Sequence, residues 1–231
     1  MSPRVHGTAE NAMQRHPDRR EAGRTLAHAL GALAGRPDVV VLGIPRGGVP
    51  VAFEVAEQLG APLDVLTVRK LGAPTNPEFA IGAVGPDGVL VLDDATVSWL
   101  GLTRAEVDEV IARERRELAR RDARYRGERP RPELADRTVV IVDDGLATGH
   151  TMAAAVDAVR AAHPARVISA VPVAARDACE RLRITADECV CVLLPEPLDG
   201  VGHWYVEFPQ TTDAEVIALL DAARTRVGGA R

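Results

Sequence analysis

Val139-Val140-Ile141-Val142-Asp143-Asp144-Gly145-Leu146-Ala147-Thr148-Gly149-His150-Thr151 runs from four continuous apolar residues, through two acids, into a loop of small residues. The apolar run reads as a strand buried on both faces, the signature of a parallel sheet. Beyond Thr151 helical spacing continues to about residue 162, so the loop delivers a strand into a helix N-terminus. Free N–H groups there, two hydroxyls and a glycine permitting close backbone approach make a phosphate cradle. Carboxylates beside a phosphate repel it unless they address something else, such as sugar hydroxyls or a cation. The stretch describes a receptor for a phosphorylated sugar.

Similar buried runs stand at residues 39–42, 63–68, 166–173 and 189–194, with shorter strands expected at 80–84 and 89–92. Helical patterns begin near Asp18 and cover 51–59 and 175–183, and Asp213 caps a last one. Residues 103–126 form a long charged helix with Thr103 as N-cap and Glu106 completing a capping box. Val107, Val110, Ile111 and Leu118 mark its apolar side, and Glu109/Arg113 and Glu117/Arg121 are spaced as i,i+4 pairs. This alternation predicts an α/β fold with a doubly wound, mostly parallel sheet flanked by helices. We expect one domain over residues 1–231, with an N-terminal arm (1–17), a helical insertion (81–136) and a small C-terminal hood (195–211). In such sheets ligands bind beyond the carboxyl ends of the strands.

The chain has 231 residues and a formal net charge of −5, which argues against nucleic-acid and anionic-membrane partners. No apolar run approaches the ~18 residues a membrane span needs. The first twenty residues hold no hydrophobic signal segment, so a cytoplasmic location is expected. Cys179, Cys189 and Cys191 are odd in number and lack metal-ligand spacing; they read as small core residues of a reduced protein. Lys70 is the single lysine among 28 basic residues, in a chain that otherwise uses arginine throughout. Such an ammonium is a candidate for a place where the guanidinium fork does not serve, the alternative being a chance survivor of the arginine bias.

Rival phosphate loops fit less well. A Walker loop needs four residues between its glycines and then Gly-Lys-Ser/Thr, but three separate Gly145 from Gly149 and His150 stands in place of lysine. No Gly-x-Gly-x-x-Gly follows any strand. The thirteen residues from Val139 resemble the 5-phosphoribosyl-1-diphosphate (PRPP) signature of type I phosphoribosyltransferases: four apolar residues, two acids, then a small Thr/Gly loop. Gly145 departs from that pattern, since the position is usually apolar in the family.

The resemblance implies transfer of a 5-phosphoribosyl group from PRPP to a nucleobase or other planar nucleophile, with release of diphosphate. Asp143 and Asp144 would then bind the ribose hydroxyls, Asp144 being the better general base. Ala147, Thr148, Gly149, His150 and Thr151 would hold the 5′-phosphate. The family's diphosphate loop corresponds to Pro45, Arg46, Gly47 and Gly48, where many relatives hold a non-proline cis peptide. Arg69 and Lys70 resemble the pair preceding a mobile catalytic loop and would face the departing diphosphate. Residues 71–79 would form the lid, with Glu78 as a further contact, while a salt bridge at the strand end is the alternative for Arg69.

Trp204 and Tyr205 in the hood would stack on the acceptor, with Phe208 in the core and His203 on an exposed loop. Mg²⁺ would be bound mainly through PRPP, with no direct protein ligand, because no carboxylate cage is present. The 81–136 segment would cover the site or pair two subunits as a homodimer. Two other readings keep the receptor: a PRPP-binding regulator without turnover, and a hydrolase using water as acceptor.

Overall fold

The apolar runs become a five-stranded parallel sheet, because strands buried on both faces satisfy their backbone groups only by pairing. The computed structural model describes residues 15–76, 79–127 and 130–228. In chain order the elements are α1 (Arg19–Ala29), β1 (Val39–Gly43), α2 (Gly48–Leu59), β2 (Leu63–Val65), β3 (Arg69–Gly72), β4 (Ala80–Val84) and β5 (Leu90–Leu92). There follow α3 (Asp94–Trp99), α4 (Arg104–Arg126), β6 (Thr138–Val142), α5 (His150–Arg160), β7 (Arg166–Val173), α6 (Arg176–Leu182), β8 (Glu188–Leu193) and α7 (Asp213–Gly228).

The main sheet has the order β2-β1-β6-β7-β8, and every pairing is parallel. Strand alternation divides its core: Val39 and Val41 pack with α1, α2 and α7, whereas Val40 and Leu42 face α5 and α6. The chain leaves β1 toward β2 on one side and leaves β6 toward β7 on the other. The switch point therefore falls between β1 and β6, where Gly43 is paired with Val142 and the two following loops emerge side by side.

The second buried strand is shorter than the sequence predicts. Residues 66–68 leave the sheet after Val65, and Arg69 opens a separate antiparallel sheet of β3, β4 and β5. The segment expected to be a lid thus begins as a hairpin strand. Leu71 is fully buried with Ile81, Val107, Val110 and Ile111, and Ala73 N–H donates to the Phe79 carbonyl. Glu78 lies outside the described residues.

Helix α4 has the predicted capping box, and it buries its apolar side against this second sheet. Glu117 does pair with Arg121 at 2.7 Å, but Arg113 bonds Glu114 rather than Glu109. Residues 1–14 of the expected arm lie outside the description. Its end is stitched to the hood: His16 N–H donates to Trp204 O, and Val206 N–H to His16 O, both at 2.8 Å.

The cysteines require a correction. They are buried, as expected, but their sulfurs converge: Cys179 Sγ lies against Cys191 Sγ, with Cys189 Sγ 2.8 Å from Cys179 and 3.6 Å from Cys191. Cys189 and Cys191 point to one face of β8, and α6 lays Cys179 over that face. Linear spacing does not register a strand and a helix brought into contact.

Candidate active site

Asp143 and Asp144 leave β6 at the switch point. Asp143 Oδ1 accepts the Asp144 N–H at 2.8 Å, a bond that fixes the first carboxylate against the second residue's backbone. Burial pushes Asp143 well above the usual carboxylate range, and the negative charge of Asp144 adds to the rise. Asp144 is also raised by burial, but Arg19 opposes that rise. Arg19 Nε and Nη2 each lie 2.9 Å from Asp144 Oδ2. Its Nη1 donates to the Pro209 carbonyl at 2.6 Å, and its guanidinium sits 3.7 Å above the Phe208 ring centroid.

The two glycines after Arg46 are required by this packing. A β-carbon on Gly47 would overlap the Asp144 carboxylate, and one on Gly48 would lie 2.7 Å from Val142 O and 2.8 Å from Asp143 Cα. Gly47 has φ −64°, open to any residue, so the constraint there is contact rather than conformation. The Pro45–Arg46 peptide is cis, the form the resemblance implies for this loop. Gly48 N–H donates to Ile44 O at 3.0 Å and is thus engaged within the loop. Arg46 forms no ion pair among the described residues; its charge bears on Tyr125 and Asp213, which share a 2.6 Å hydrogen bond.

The 147–151 loop hangs from one buried anchor. Leu146 N–H donates to Val173 O, and Ala175 N–H to Leu146 O, so the loop starts from the core between β6 and β7. Ala147, Thr148, His150 and Thr151 are exposed, and Gly149 is half-buried. Gly149 takes φ +80°, a left-handed conformation that glycine adopts at no steric cost, and becomes the N-cap of α5. The first bond of that helix is Ala153 N–H to Gly149 O, so the N–H groups at its start face the loop. Arg181 of α6 braces the loop through Thr148 O at 3.1 Å.

A cleft of about 460 Å³ opens beside the β1 loop, lined by Ile44, Pro45, Thr67, Arg69, Lys70, Thr151 and residues of α4. The sequence pairs Arg69 with Lys70 as cations facing a leaving group; both line this cleft, but they differ in their ion pairing. Arg69 is held by Glu114 of α4 at 2.6 Å, whereas Lys70 has no ion pair among the described residues. Sequence reasoning missed Arg19 and Glu114. Each is an ordinary helix residue in an arginine-rich or charged pattern, with no motif to single it out.

The hood is nearer the acids than to any open platform. Tyr205 is 2% exposed and donates to Asp144 O at 2.6 Å, so its ring supports the acid loop and has no free face for stacking. Trp204 is half-buried against the cluster of Ala22, Val173, Leu193 and Tyr205, His203 is exposed, and Phe208 lies between Arg19 and Tyr205. Gly145, the departure from the expected motif, has a reason here: a β-carbon would collide with Val201 of the hood.

With these loops gathered at the switch point of a doubly wound sheet, the molecule is an α/β protein of the class that holds its ligand at the carboxyl edge. The chain belongs to the phosphoribosyl transferase domain family, whose model matches residues 11–206. It is 51% identical over 211 residues to proteins of Mycobacterium tuberculosis (strains CDC 1551 / Oshkosh and ATCC 25618 / H37Rv) provisionally named phosphoribosyl transferases. Those matches cover 91% of this chain and 47% of theirs, so the chain spans about half the length of these relatives. The crystal structure of TT1426 from Thermus thermophilus is similar at a TM-score of 0.83 and 48% identity, over 90% of this chain and 98% of that one. No described helix is long and apolar enough to cross a membrane.

Proposed function

We propose that the protein transfers the 5-phosphoribosyl group of PRPP to a nucleobase or other planar nucleophile and releases diphosphate. One juxtaposition carries the reading: Gly47 of the β1 loop packs against Asp144 of the β6 loop, which runs directly into the cradle at α5. A phosphorylated ribose laid along this edge meets Asp143 and Asp144 with its hydroxyls and the Ala147–Thr151 loop with its 5′-phosphate. Its diphosphate then lies toward Pro45, Arg46, Gly47 and Lys70.

As the bond from C1 to diphosphate oxygen breaks, positive charge develops on the ribose ring. The two carboxylates lie where they stabilise it, and Lys70 lies toward the departing anion. Mg²⁺, when bound, neutralises charge on the diphosphate. The residues present fit a cation held chiefly by PRPP. Among the described residues the only cluster of three or more metal-ligating side chains is the cysteine trio, whose soft sulfurs do not suit Mg²⁺, so in this reading the cation rests on the oxygens of PRPP itself. Residues 195–211 serve as the hood, with the half-buried Trp204 as the remaining aromatic candidate for acceptor contact. Phe79 at the end of the 71–79 segment and Trp99 of the insertion form an exposed pair with ring centroids 6.2 Å apart, which supports pairing of two copies.

The test is diphosphate release from PRPP and Mg²⁺, measured with a panel of purines, pyrimidines and other planar acceptors and with water alone. Release that depends on an acceptor supports transfer. Release without one supports the hydrolase, and binding without release under every condition supports the regulator.

A further inference from the structure

The acids at the switch point are adjacent in sequence, yet the structure treats them differently. Asp144 is gripped by Arg19 through two nitrogens on one oxygen, and the same oxygen is wedged against Gly47. Asp143 has no cation within ion-pair distance among the described residues, and its fixed partner is the Asp144 N–H. Arg19 is itself immobilised from the far side. Phe208 supports its face, the Pro209 carbonyl takes Nη1, and Asp18 caps α1 directly before it. A guanidinium held at three places is a fixed positive charge, able to set the ionisation of whatever it touches.

We propose that Arg19 is a positioning residue for the acidic pair: it holds Asp144 as the more readily ionised member and leaves Asp143 as the member that binds and releases a proton. This rests on the ribose-binding reading of the two acids given above. It reverses the expectation from sequence, in which Asp144 was the better base, because an anion committed to a guanidinium is a weaker proton acceptor than its unpaired neighbour. The charged and titratable groups bearing on the pair are Arg19 from α1, Tyr205 from the hood, and the two acids themselves. Tyr205 is already committed as a donor to Asp144 O, and burial holds its phenol protonated. The division between the acids therefore falls to Arg19. Pairs of carboxylates whose surroundings separate their affinities for protons are a recurring route to distinct roles from identical groups. The same contact links the hood to the acid loop, since Arg19 touches Phe208, Pro209 and Asp144 at once.

The test is the pH dependence of PRPP–Mg²⁺ binding by calorimetry, for the unmodified protein, Arg19→Gln and Arg19→Lys. Without the guanidinium, Asp144 takes up a proton at higher pH and its hydroxyl-accepting form is lost. Arg19→Gln is therefore expected to lose at least ~10-fold in affinity between about pH 8 and pH 6, beyond any loss in the unmodified protein. Arg19→Lys, which keeps the charge, is expected to restore most of the original profile. Uniform weakening of Arg19→Gln at every pH would be a purely structural effect and would overturn the proposal.

A second measurement needs no change at Arg19. Infrared titration of the carboxyl stretch in the unmodified protein should show one acid protonating above the rest, and Asp143→Asn should remove that band. A band that persists in Asp143→Asn overturns the assignment. Failure of the unmodified protein to bind PRPP at any pH would instead count against the proposed function, and the infrared titration would still test the division between the acids.

Discussion

Arg69 reaches Glu114 with two nitrogens, Nε at 2.8 Å and Nη2 at 2.6 Å from the same carboxylate oxygen, and so ties the start of β3 to the middle of α4. Burial works to raise the Glu114 pKa, but hydrogen bonds from Arg69 and Arg113 outweigh it and hold the group below its ordinary value. A depressed carboxylate stabilises the fold above its unfolded pKa, and that contribution disappears as pH falls through the folded value. Glu114→Ala is expected to cost about 1–3 kcal/mol near neutral pH, since it leaves Arg69 partly buried and unpaired. Thermal melts should show this loss at pH 7 and a difference that shrinks as pH falls below the ordinary glutamate range toward the depressed folded value.

Because Arg69 is engaged by α4, Lys70 is the cation of the pair left without an ion pair among the described residues. Lys70→Ala should raise KM for PRPP by roughly tenfold or more, the scale of one lost charge-assisted hydrogen bond. Lys70→Arg should do so less severely. An unchanged KM in both would show that the single lysine has no part in diphosphate binding.

Asp143 should trade stability for function. Its folded pKa lies above the unfolded one, so its favourable contribution is present below the unfolded pKa and lost as pH rises through the folded value. At pH 7 the ionised form is a burden on the fold. Asp143→Asn keeps the oxygen that accepts Asp144 N–H and removes the charge, so Tm should rise by about 2–4 °C for each kcal/mol relieved. Turnover should fall by orders of magnitude. A lower Tm in a folded Asp143→Asn protein would contradict the electrostatic account of this position.

Gly145 and Val201 should behave as a coupled pair. Gly145→Ala places a methyl group into Val201 and should lift the hood from the acid loop, lowering stability by about 1–3 kcal/mol. Val201→Ala in the same chain should recover much of that loss, so the double-mutant cycle should show a coupling of about 0.5–3 kcal/mol. Additive effects would mean that the contact carries no energy.

Tyr205→Phe removes the donor to the Asp144 carbonyl and should cost about 1–3 kcal/mol by leaving that acceptor unmet. The loss is read from denaturant midpoints. If Tyr205 stacked on the acceptor, the same change would spare stability and leave the ring's contact intact.

What could be read in advance follows the range of the forces involved. The buried runs, the turn of Gly149, the capping box of Thr103 and Glu106 and the small loop after Asp144 are local patterns. Each needs only neighbouring residues to declare itself. The sequence by itself therefore determined the doubly wound sheet and the small loop leading into α5, and it placed Asp143 and Asp144 at a strand end. Their partners lie at sequence distances that local periodicity cannot reach: 125 residues separate Arg19 from Asp144, and 45 separate Arg69 from Glu114. Only the tertiary structure decided that Arg69 is ion-paired with α4 while Lys70 beside it is not, that Tyr205 supports the acid loop, and that Arg19 distinguishes two acids the sequence presents as equals. The physical reason is that a charge takes its role from the groups and burial around it, and those are settled when distant segments pack together.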